Sequence, residues 1–334
     1  MLKKFLTILL SFCCFSIAKA QDIHWSQFND NPIFQNPANS GRFVGSYRFI
    51  ANYRNQWQSV TVPFSTFSFS ADTRIQKVRN LSLGILLFHD VEGDGKLRTV
   101  EFQVAPSYTL KLSSDSVNTL RFGLQLGLNH RQVVTNNFHW DSQFNGLQYD
   151  ASLPSNEEFQ NLKKTNFSTG VGVVYEWAIN PRKRVATGIG FFNINAPNQG
   201  FLGEVIHRDR RLNVFAQGQF AVADDWDVLP TFQLNFQGKY NEVIFGANAR
   251  YILQNRLEKY LAIYFGAYFR NRDAGYLSVG CDYKDWFLGI SYDLNFSKLV
   301  PASRVRGGFE LAARYILNIS RPKNILYRVC PDFI

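Results

Sequence analysis

The chain has 334 residues, a formal net charge of +10 and 16 % aromatic side chains, with a slightly negative mean hydropathy. Beyond residue 20, no segment offers the roughly 18 continuous apolar residues of a membrane helix. Only Cys281 and Cys330 lie beyond that point, which is too few for a disulfide scaffold, and they either pair or remain free thiols. This composition favours a β-barrel with an apolar outside and a polar lumen.

Residues 1–20 have the three parts of a signal peptide. Lys3 and Lys4 are followed by an apolar stretch over residues 5–17 and by the cleavage pattern Ala18-Lys19-Ala20. We therefore predict export, with Gln21 as the first mature residue. Removing the three lysines of this segment leaves a charge of +7. Nucleic acid is not expected as a partner of an exported protein.

Residues 21–45 form a turn-rich segment that fits neither helix nor strand periodicity. It contains two Asn-Pro pairs, and each proline pushes its asparagine out of the helical region, which predicts two consecutive turns. Its apolar residues are expected to anchor it as a lumen plug or as a periplasmic clip, with an unstructured tail as the third interpretation. The candidate docking or plug residues here are Trp25, Phe28, Asn31, Pro32, Phe34, Asn36 and Pro37.

Residues 46–318 predict an all-β fold, an outer-membrane β-barrel of about 14 antiparallel strands. Apolar and polar residues alternate, as where Phe67 and Phe69 alternate with Ser68 and Ser70, which is the pattern of lipid-facing and lumen-facing side chains. The alternative, a soluble periplasmic β-protein, does not explain so many strands of membrane-spanning length. The predicted strands are 46–58, 64–75, 80–89, 97–112, 117–131, 166–178, 184–195, 209–222, 227–238, 242–253, 259–270, 274–283, 285–296 and 306–318.

The lengths of the connections predict how the barrel is oriented. Connections after even-numbered strands are short, whereas the longest, at 132–165, 196–208 and 297–305, follow odd-numbered strands. Outer-membrane barrels have short periplasmic turns and long outer loops. We therefore expect both termini in the periplasm, including the C-terminal tail at 319–334.

Tryptophan residues collect at predicted strand ends with lipid-facing parity. Tryptophan prefers the membrane interface because its body is apolar and its N–H needs a polar partner. These residues are therefore predicted to form an interface girdle in contact with outer-membrane lipid. They are Trp57, Trp177, Trp226 and Trp286.

Six arginines have lumen-facing parity, and they suggest either an anion-selective pore or internal ion pairs. Unpaired charges in a narrow lumen are costly, so pairing is favoured. The arginines are Arg48, Arg54, Arg121, Arg131, Arg250 and Arg314, and their expected partners are Asp72, Glu101, Glu176, Asp282, Asp293 and Glu310.

The long connection after the fifth strand, taken as residues 138–164, mixes turn residues with aromatic ones. Long loops in compact proteins are usually functional or disordered, and the aromatics favour an ordered docking surface, with a lumen-folded plug as the alternative. The candidate residues are Phe138, Trp140, Phe144, Tyr149 and Phe159.

No catalytic, cofactor-binding or metal-binding residues are predicted. The five histidines show no ligand spacing, and the stretch 90–95 lacks the spacing of a calcium-binding EF-hand loop, so it is interpreted as a solvated hairpin loop. An enzyme would need a nucleophile beside a base, and only His130 with Ser142 is conceivable. We therefore predict that the protein is not an enzyme.

Several short segments resemble the PorP/SprF family of the type IX secretion and gliding machinery. They are SQFNDNPIFQNPANSG (26–41), YRNQW (53–57), LPTFQLNFQG (229–238), SYDLNFSKL (291–299), GGFELAARY (307–315) and the closing Cys330-Pro331. Their order and spacing make the set specific over nearly the whole mature chain. One departure is Gln35, where an apolar residue is common in the family.

The resemblance implies an outer-membrane barrel needed for export or surface attachment of a large adhesin. The implied partners are that secreted adhesin, through its type IX C-terminal signal domain, and peptidoglycan-linked periplasmic components of the machinery. The resemblance brings no catalytic residues. The alternative is a porin or a transporter of hydrophobic solutes, since 14 strands leave room for a pore.

Overall fold

The computed structural model describes residues 23–56, 62–75, 78, 80–93, 96–135, 138–156, 162–201, 203–256, 259–296 and 306–319, with only the backbone of Arg306. Several predicted features lie outside these residues: the signal peptide, Trp57, Phe159, Cys330, the connection at 297–305 and the tail from residue 320.

Fourteen strands lie in the described part of the chain, and they form one closed antiparallel barrel. Each strand pairs with its neighbours in sequence, and the first pairs with the last. The predicted fold class and strand number are confirmed. The strands are β1 Tyr47–Gln56, β2 Phe64–Arg74, β3 Leu81–Glu92, β4 Leu97–Lys111, β5 Asn118–Gln132, β6 Lys163–Asn180, β7 Lys183–Phe192, β8 Arg211–Ala221, β9 Trp226–Gln237, β10 Tyr240–Arg256, β11 Lys259–Arg270, β12 Ala274–Tyr283, β13 Trp286–Asn295 and β14 Arg306–Leu317.

The only helical elements among the described residues are short. One α-helix, α1 (Pro32–Gln35), and three 3-10 turns (Phe28–Asp30, Pro37–Asn39 and Asp141–Gln143) accompany the strands. No described helix is long and apolar enough to cross a membrane.

The alternation of side chains along the strands sorts them into two faces. In β2, Ser68 and Ser70 point inward and are buried, whereas Phe67 on the outside is 41 % exposed. In β5, the outward Leu128 is 55 % exposed, while Gln125 is buried in the lumen. Successive side chains of a strand point to opposite faces of the sheet, so one face lines the lumen and the other faces outward. This arrangement confirms the predicted polar interior and apolar exterior.

The barrel has two unlike ends. At one, β1 begins, β14 ends, and the connections never exceed the six residues of 75–80 or 112–117; we call it the short-connection end. At the other lie the long connections 133–162 and 193–210, and we call it the long-connection end. Which end faces the periplasm stays a prediction.

One predicted loop belongs to a strand. β3 continues to Glu92, so the expectation of a solvated loop beginning at Asp90 is wrong for residues 90–92. The reason is local: the Asp90 carboxylate points into the lumen and accepts a hydrogen bond of 2.7 Å from the Thr66 hydroxyl, which extends the ladder.

Candidate functional site

Residues 23–45, which we call the N-terminal segment, lie inside the barrel. Near the long-connection end, His24 lies 3.3 Å from Gln56 on β1. Near the short-connection end, Phe43 and Val44 line a cavity together with Ile316 of β14. The segment therefore traverses the lumen from one end to the other.

This path bears on the predicted position of the termini. The first described residue, Ile23, shares a small cavity with Gln237 and Tyr240, which flank the β9–β10 turn at the long-connection end. The last, Ile319, follows β14 at the short-connection end, where its N–H donates to the Ser46 hydroxyl. The described residues thus begin and end at opposite ends of the barrel. The side of the membrane on which each terminus lies stays a prediction.

The two Asn-Pro pairs form two consecutive turns. Pro32 opens α1 and Pro37 opens the next 3-10 turn. A first helical position suits proline because its missing N–H would have no partner there. The Asn36 side chain caps the second turn by accepting from the Ala38 N–H at 2.9 Å, and the Asn39 amide ties the two turns together by donating to the Pro32 carbonyl.

Apolar side chains of the segment pack on apolar side chains of the lumen wall. Phe28 meets Tyr268 edge-on at 6.1 Å, within a buried cluster that also contains Trp25. Ile33 is fully buried against Leu86 of β3. Phe34 is only partly buried. The wall residues of the Trp25 cluster are Phe88, Ile244, Tyr268 and Tyr276.

A run of consecutive apolar residues in the sequence indicates that part of the lumen wall is apolar, which strict alternation does not predict. β3 reads Leu86-Leu87-Phe88 and is therefore apolar on both faces. In a barrel with a polar lumen, such a run indicates that the inner face is also covered by protein. The expected partner of that inner face is the N-terminal segment.

Two glycines of the wall make room for the second turn. A Cβ on Gly123 of β5 would overlap the backbone of Pro37 and Ala38, and one on Gly172 of β6 would overlap the Asn36 side chain. Gly123 therefore lets the backbone of the segment approach the wall closely, and Gly172 makes room for the Asn36 side chain. Gln35, the departure from the family pattern, is 2 % exposed and donates to Gln233 at 2.7 Å, so its polar group has a partner in the wall.

The start of the segment is held by a buried ionic network that we call the anchor cluster. The backbone N–H groups of Ser26 and Gln27 donate to the Glu310 carboxylate at 2.7 and 2.9 Å. Arg54 bridges Glu310 at 2.9 Å and Asp293 at 2.7 Å, with its side chain 1 % exposed. The anchor cluster comprises Ser26, Gln27, Arg54, Arg270, Asp293 and Glu310.

Most of the expected lumen ion pairs are confirmed. Arg54 pairs as described above, and the others are Arg48 with Asp72 at 2.8 Å, Arg121 with Glu176 at 4.0 Å, and Arg314 with Asp282 at 3.4 Å. Three predicted members have other partners: Glu101 binds Arg208, Arg250 binds Asp227, and Arg131 donates to Gln199. Asp227 and Arg208 were missed because both lie at predicted strand or loop boundaries.

Residues 138–156, the described middle of the connection between β5 and β6, are held together by internal hydrogen bonds. Gln143 is at their centre: its side chain donates to the Leu153 carbonyl at 2.9 Å and its carbonyl accepts from Asp150. Tyr149 meets His139 edge-on at 4.3 Å and donates to Gln143. Hydrogen bonds from the Ser152 hydroxyl and N–H lower the pKa of the exposed Asp150, which keeps this turn charged.

The outer side of this loop is apolar. Phe144 is 56 % exposed and Leu147 is 93 % exposed, whereas Phe138 and Trp140 pack edge-to-face against each other at 5.3 Å. The structure therefore brings the predicted loop residues together at the long-connection end, away from those of the N-terminal segment. His130 and Ser142 do not form a pair, because they bond to Thr165 and to the Ser155 carbonyl instead.

Three tryptophans lie on the outer face at the short-connection end. Trp226 and Trp286 begin β9 and β13, and Trp177 lies three residues before the end of β6. Trp226 packs on Tyr251 at 4.8 Å and Trp286 on Tyr315 at 4.6 Å, so each extends into a local aromatic patch. This is the placement expected of an interface girdle.

No group of three or more His, Cys, Asp or Glu side chains among the described residues is arranged to hold a metal ion. The most prominent features of the described residues are the N-terminal segment inside the lumen, the exposed apolar side chains of a loop at one end and a group of arginines at the other.

Comparison with known proteins identifies a family and a fold. The model of the type IX secretion system membrane protein PorP/SprF matches residues 17–315. No curated protein is matched by this sequence. Among solved structures, the chain is similar to the CymD monoaromatic hydrocarbon channel, with TM-score 0.52, 9 % identity, and coverage of 91 % of this chain and 96 % of that chain. It is also similar to the Pseudomonas putida toluene transporter TodX, with TM-score 0.54, 9 % identity, and coverage of 90 % and 96 %. At such identities the likeness shows the fold alone, that of an outer-membrane barrel.

Proposed function

Because the chain belongs to the PorP/SprF family of type IX secretion system membrane proteins, we propose that it is an outer-membrane docking barrel for a large secreted adhesin. In this role the long-connection end faces outward and holds the adhesin's C-terminal signal domain. The short-connection end faces the periplasm and the peptidoglycan-linked machinery. The barrel binds and positions its partners and catalyses no reaction.

The observation that carries the proposal is the ordered apolar surface of the β5–β6 loop. Exposed large apolar side chains that are rimmed by polar residues mark protein interaction sites, and aromatic anchors dominate binding at such sites. Phe144, Leu147 and Tyr149 form this kind of patch on a framework of hydrogen bonds around Gln143.

The loop at 193–210 also exposes large apolar side chains at the same end of the barrel. Val205 is 67 % exposed and Ile206 is 52 % exposed. The two loops are joined at their bases, since the Lys164 ammonium donates to the Gly200 carbonyl at 2.9 Å. A partner domain therefore meets two linked loops, which lowers the cost of ordering them on binding.

The test is a pair of substitutions on this patch. We expect Phe144→Ser with Leu147→Ser to release adhesin into the medium while the barrel still assembles, because both side chains are exposed and support no strand. Val62→Ser is the matched control, since Val62 is 40 % exposed at the same end of the barrel but outside the two loops. Unchanged adhesin retention in the double variant would overturn the docking assignment, as would equal loss in the control.

A channel for small or hydrophobic solutes is the second candidate, and its support is the fold that the chain shares with the CymD channel and the TodX transporter. The filled lumen favours docking over diffusion, because the N-terminal segment occupies the path between the two ends. Planar-bilayer conductance separates the two functions. Transport would be favoured if the intact protein forms a channel that stays open and whose conductance changes when solute is added.

A further inference from the structure

The short-connection end of the lumen contains a continuous system of cavities. A cavity of about 330 Å³ lies beside the end of the N-terminal segment. It shares Glu176 with a cavity of about 350 Å³ on one side and Arg250 with one of about 780 Å³ on the other. These volumes are those of ligand sites rather than of packing defects.

Five basic side chains line these cavities around Glu176, and we call this group the basic basin. The other two carboxylates of the lining, those of Asp30 and Asp282, are paired with Arg314. The members of the basic basin come from the N-terminal segment and from four strands, so they surround the mouth rather than forming a stripe on one strand. They are Arg42, Arg74, Lys111, Arg121 and Arg184.

The Glu176 carboxylate does not compensate these charges. The contact of Glu176 with Arg121 is loose, at 4.0 Å, and the Nε and Nη1 groups of Arg121 have no hydrogen-bond acceptor among the described residues, although that residue is only 7 % exposed. Leaving buried charged donors without acceptors costs free energy, which an anionic ligand would recover.

Two further members of the basin are held by neutral groups. Arg42 donates to the Gln217 side chain at 2.5 Å, and Arg184 donates to Gln219 at 3.2 Å. No carboxylate lies within ion-pair distance of either among the described residues. Glutamine positions a guanidinium group without neutralising it, so both arginines keep their charge and their remaining donors for a ligand.

We propose that the basic basin binds an acidic peptide segment of a partner protein, with Arg42, Arg121 and Arg184 as its main carboxylate ligands. Several separated guanidinium groups around linked cavities fit a chain carrying several carboxylates better than one small ion. Lipid headgroups are not the fitting ligand, because these side chains face the lumen. The site lies opposite the adhesin-docking loops, goes beyond the function proposed above and does not depend on it.

The test measures peptide binding by the purified full-length chain in detergent. The probes are a fluorescent peptide of alternating Glu and Gly residues, its Gln-for-Glu analogue, and inorganic phosphate as competitor. We expect the acidic peptide to bind more weakly as salt rises and the neutral analogue not to bind. Arg42→Gln and Arg184→Gln should each weaken binding about three- to tenfold, which is the range of a single solvated ion pair or somewhat more.

The matched control is Lys239→Gln, which removes one exposed positive charge from the β9–β10 turn at the opposite end and should leave binding unchanged. Equal binding of the neutral analogue, or equal weakening in the control, would overturn the proposal. Full displacement of the peptide by millimolar phosphate would identify a small-anion site instead. Binding only by a chain ended at Ile319 would mean that residues 320–334 of this chain are the occupant.

Discussion

The two halves of the lumen are built from the same alternating strands but differ in how their charges are matched. Towards the long-connection end, Arg54 is closed between Glu310 and Asp293 and holds the start of the N-terminal segment. Towards the short-connection end, Arg42 and Arg184 are held by glutamines beside open cavities. In the anchor cluster both arginines, Arg54 and Arg270, meet carboxylates. In the open half, by contrast, Arg42 and Arg184 meet glutamines although their neighbour Arg48 is paired.

Removing the N-terminal segment should change the difference between the two halves of the lumen the most, and the change should be visible as conductance. Deletion of residues 23–40 empties the closed half, so we expect planar-bilayer conductance to rise on the order of tenfold or more over the intact chain, as wider barrels leave aqueous channels. The open pore should prefer anions because the arginines of the other half then line its narrowest part. Heat-modifiable gel migration checks that the variant still forms a barrel, and an assembled variant with unchanged conductance would show that the segment does not block the lumen.

Disrupting the anchor cluster should have the next largest effect, which is a loss of stability. Glu310→Ala leaves two backbone N–H groups buried without their acceptor and removes one of the two carboxylates that bind Arg54, and we expect a loss of about 3–5 kcal/mol in the free energy of unfolding. Trypsin should then cut after Arg42, a site that the seated segment protects. Glu176→Ala in the open half is the comparison, and its 4.0 Å contact predicts a loss of only about 1 kcal/mol. Equal losses in urea unfolding would remove the distinction between the halves.

Within the short-connection half, two arginines should behave differently. Arg48→Gln leaves the Asp72 carboxylate, whose side chain is 1 % exposed, without its cation, and we expect a loss of about 3 kcal/mol. Arg184→Gln removes a cation that has no carboxylate within ion-pair distance among the described residues, and it should cost less than about 1 kcal/mol. Thermal unfolding of both variants in one detergent measures the contrast, and a costly Arg184→Gln would argue against the basic basin.

The smallest expected effect is steric. Gly123→Ala places a methyl group against the backbone at Ala38, and we expect a loss of about 1–3 kcal/mol together with a partly lifted turn. Gly127→Ala on the same face of β5 is the matched control, because its nearest atom, the Ser168 hydroxyl at 2.6 Å, belongs to a side chain that can rotate. Labelling of an Ala38→Cys reporter should rise only with the first substitution, and equal labelling in both would show that Gly123 does not fit the segment to the wall.

The barrel was predictable from the sequence because period-2 alternation depends on local residues alone. The pattern of alternation predicted the number of strands and the face of the sheet on which each side chain lies. Most ion pairs, such as that of Arg48 with Asp72, could then be predicted between side chains on the lumen face. The long-range placement of the N-terminal segment did not follow, because Asn-Pro turns define local shape but not which surface they contact. Its position in the lumen depends on Gly123, Gly172 and the inward apolar residues of β3. These residues are distant in sequence from the segment, and none of them alone indicates a contact with it.

The loop site was partly predictable. Aromatic spacing indicated a docking surface, but which aromatics point outward depended on the hydrogen bonds that Gln143 makes on both sides. Phe144 is exposed and Trp140 is partly buried for that reason. The basic basin was not predicted, because parity gives the direction of an arginine but not the identity of the residue that it meets.

The anchor cluster also lies across the seam where the barrel closes. Arg54 of β1 and Glu310 of β14 are direct cross-strand neighbours, and Ser26 bonds to both. The N-terminal segment precedes every strand of the barrel in the chain and is held by the last of these strands. The N-terminal segment acquires its final bonds only when the first and last strands meet, so closing the cylinder and fastening its contents are one event in assembly.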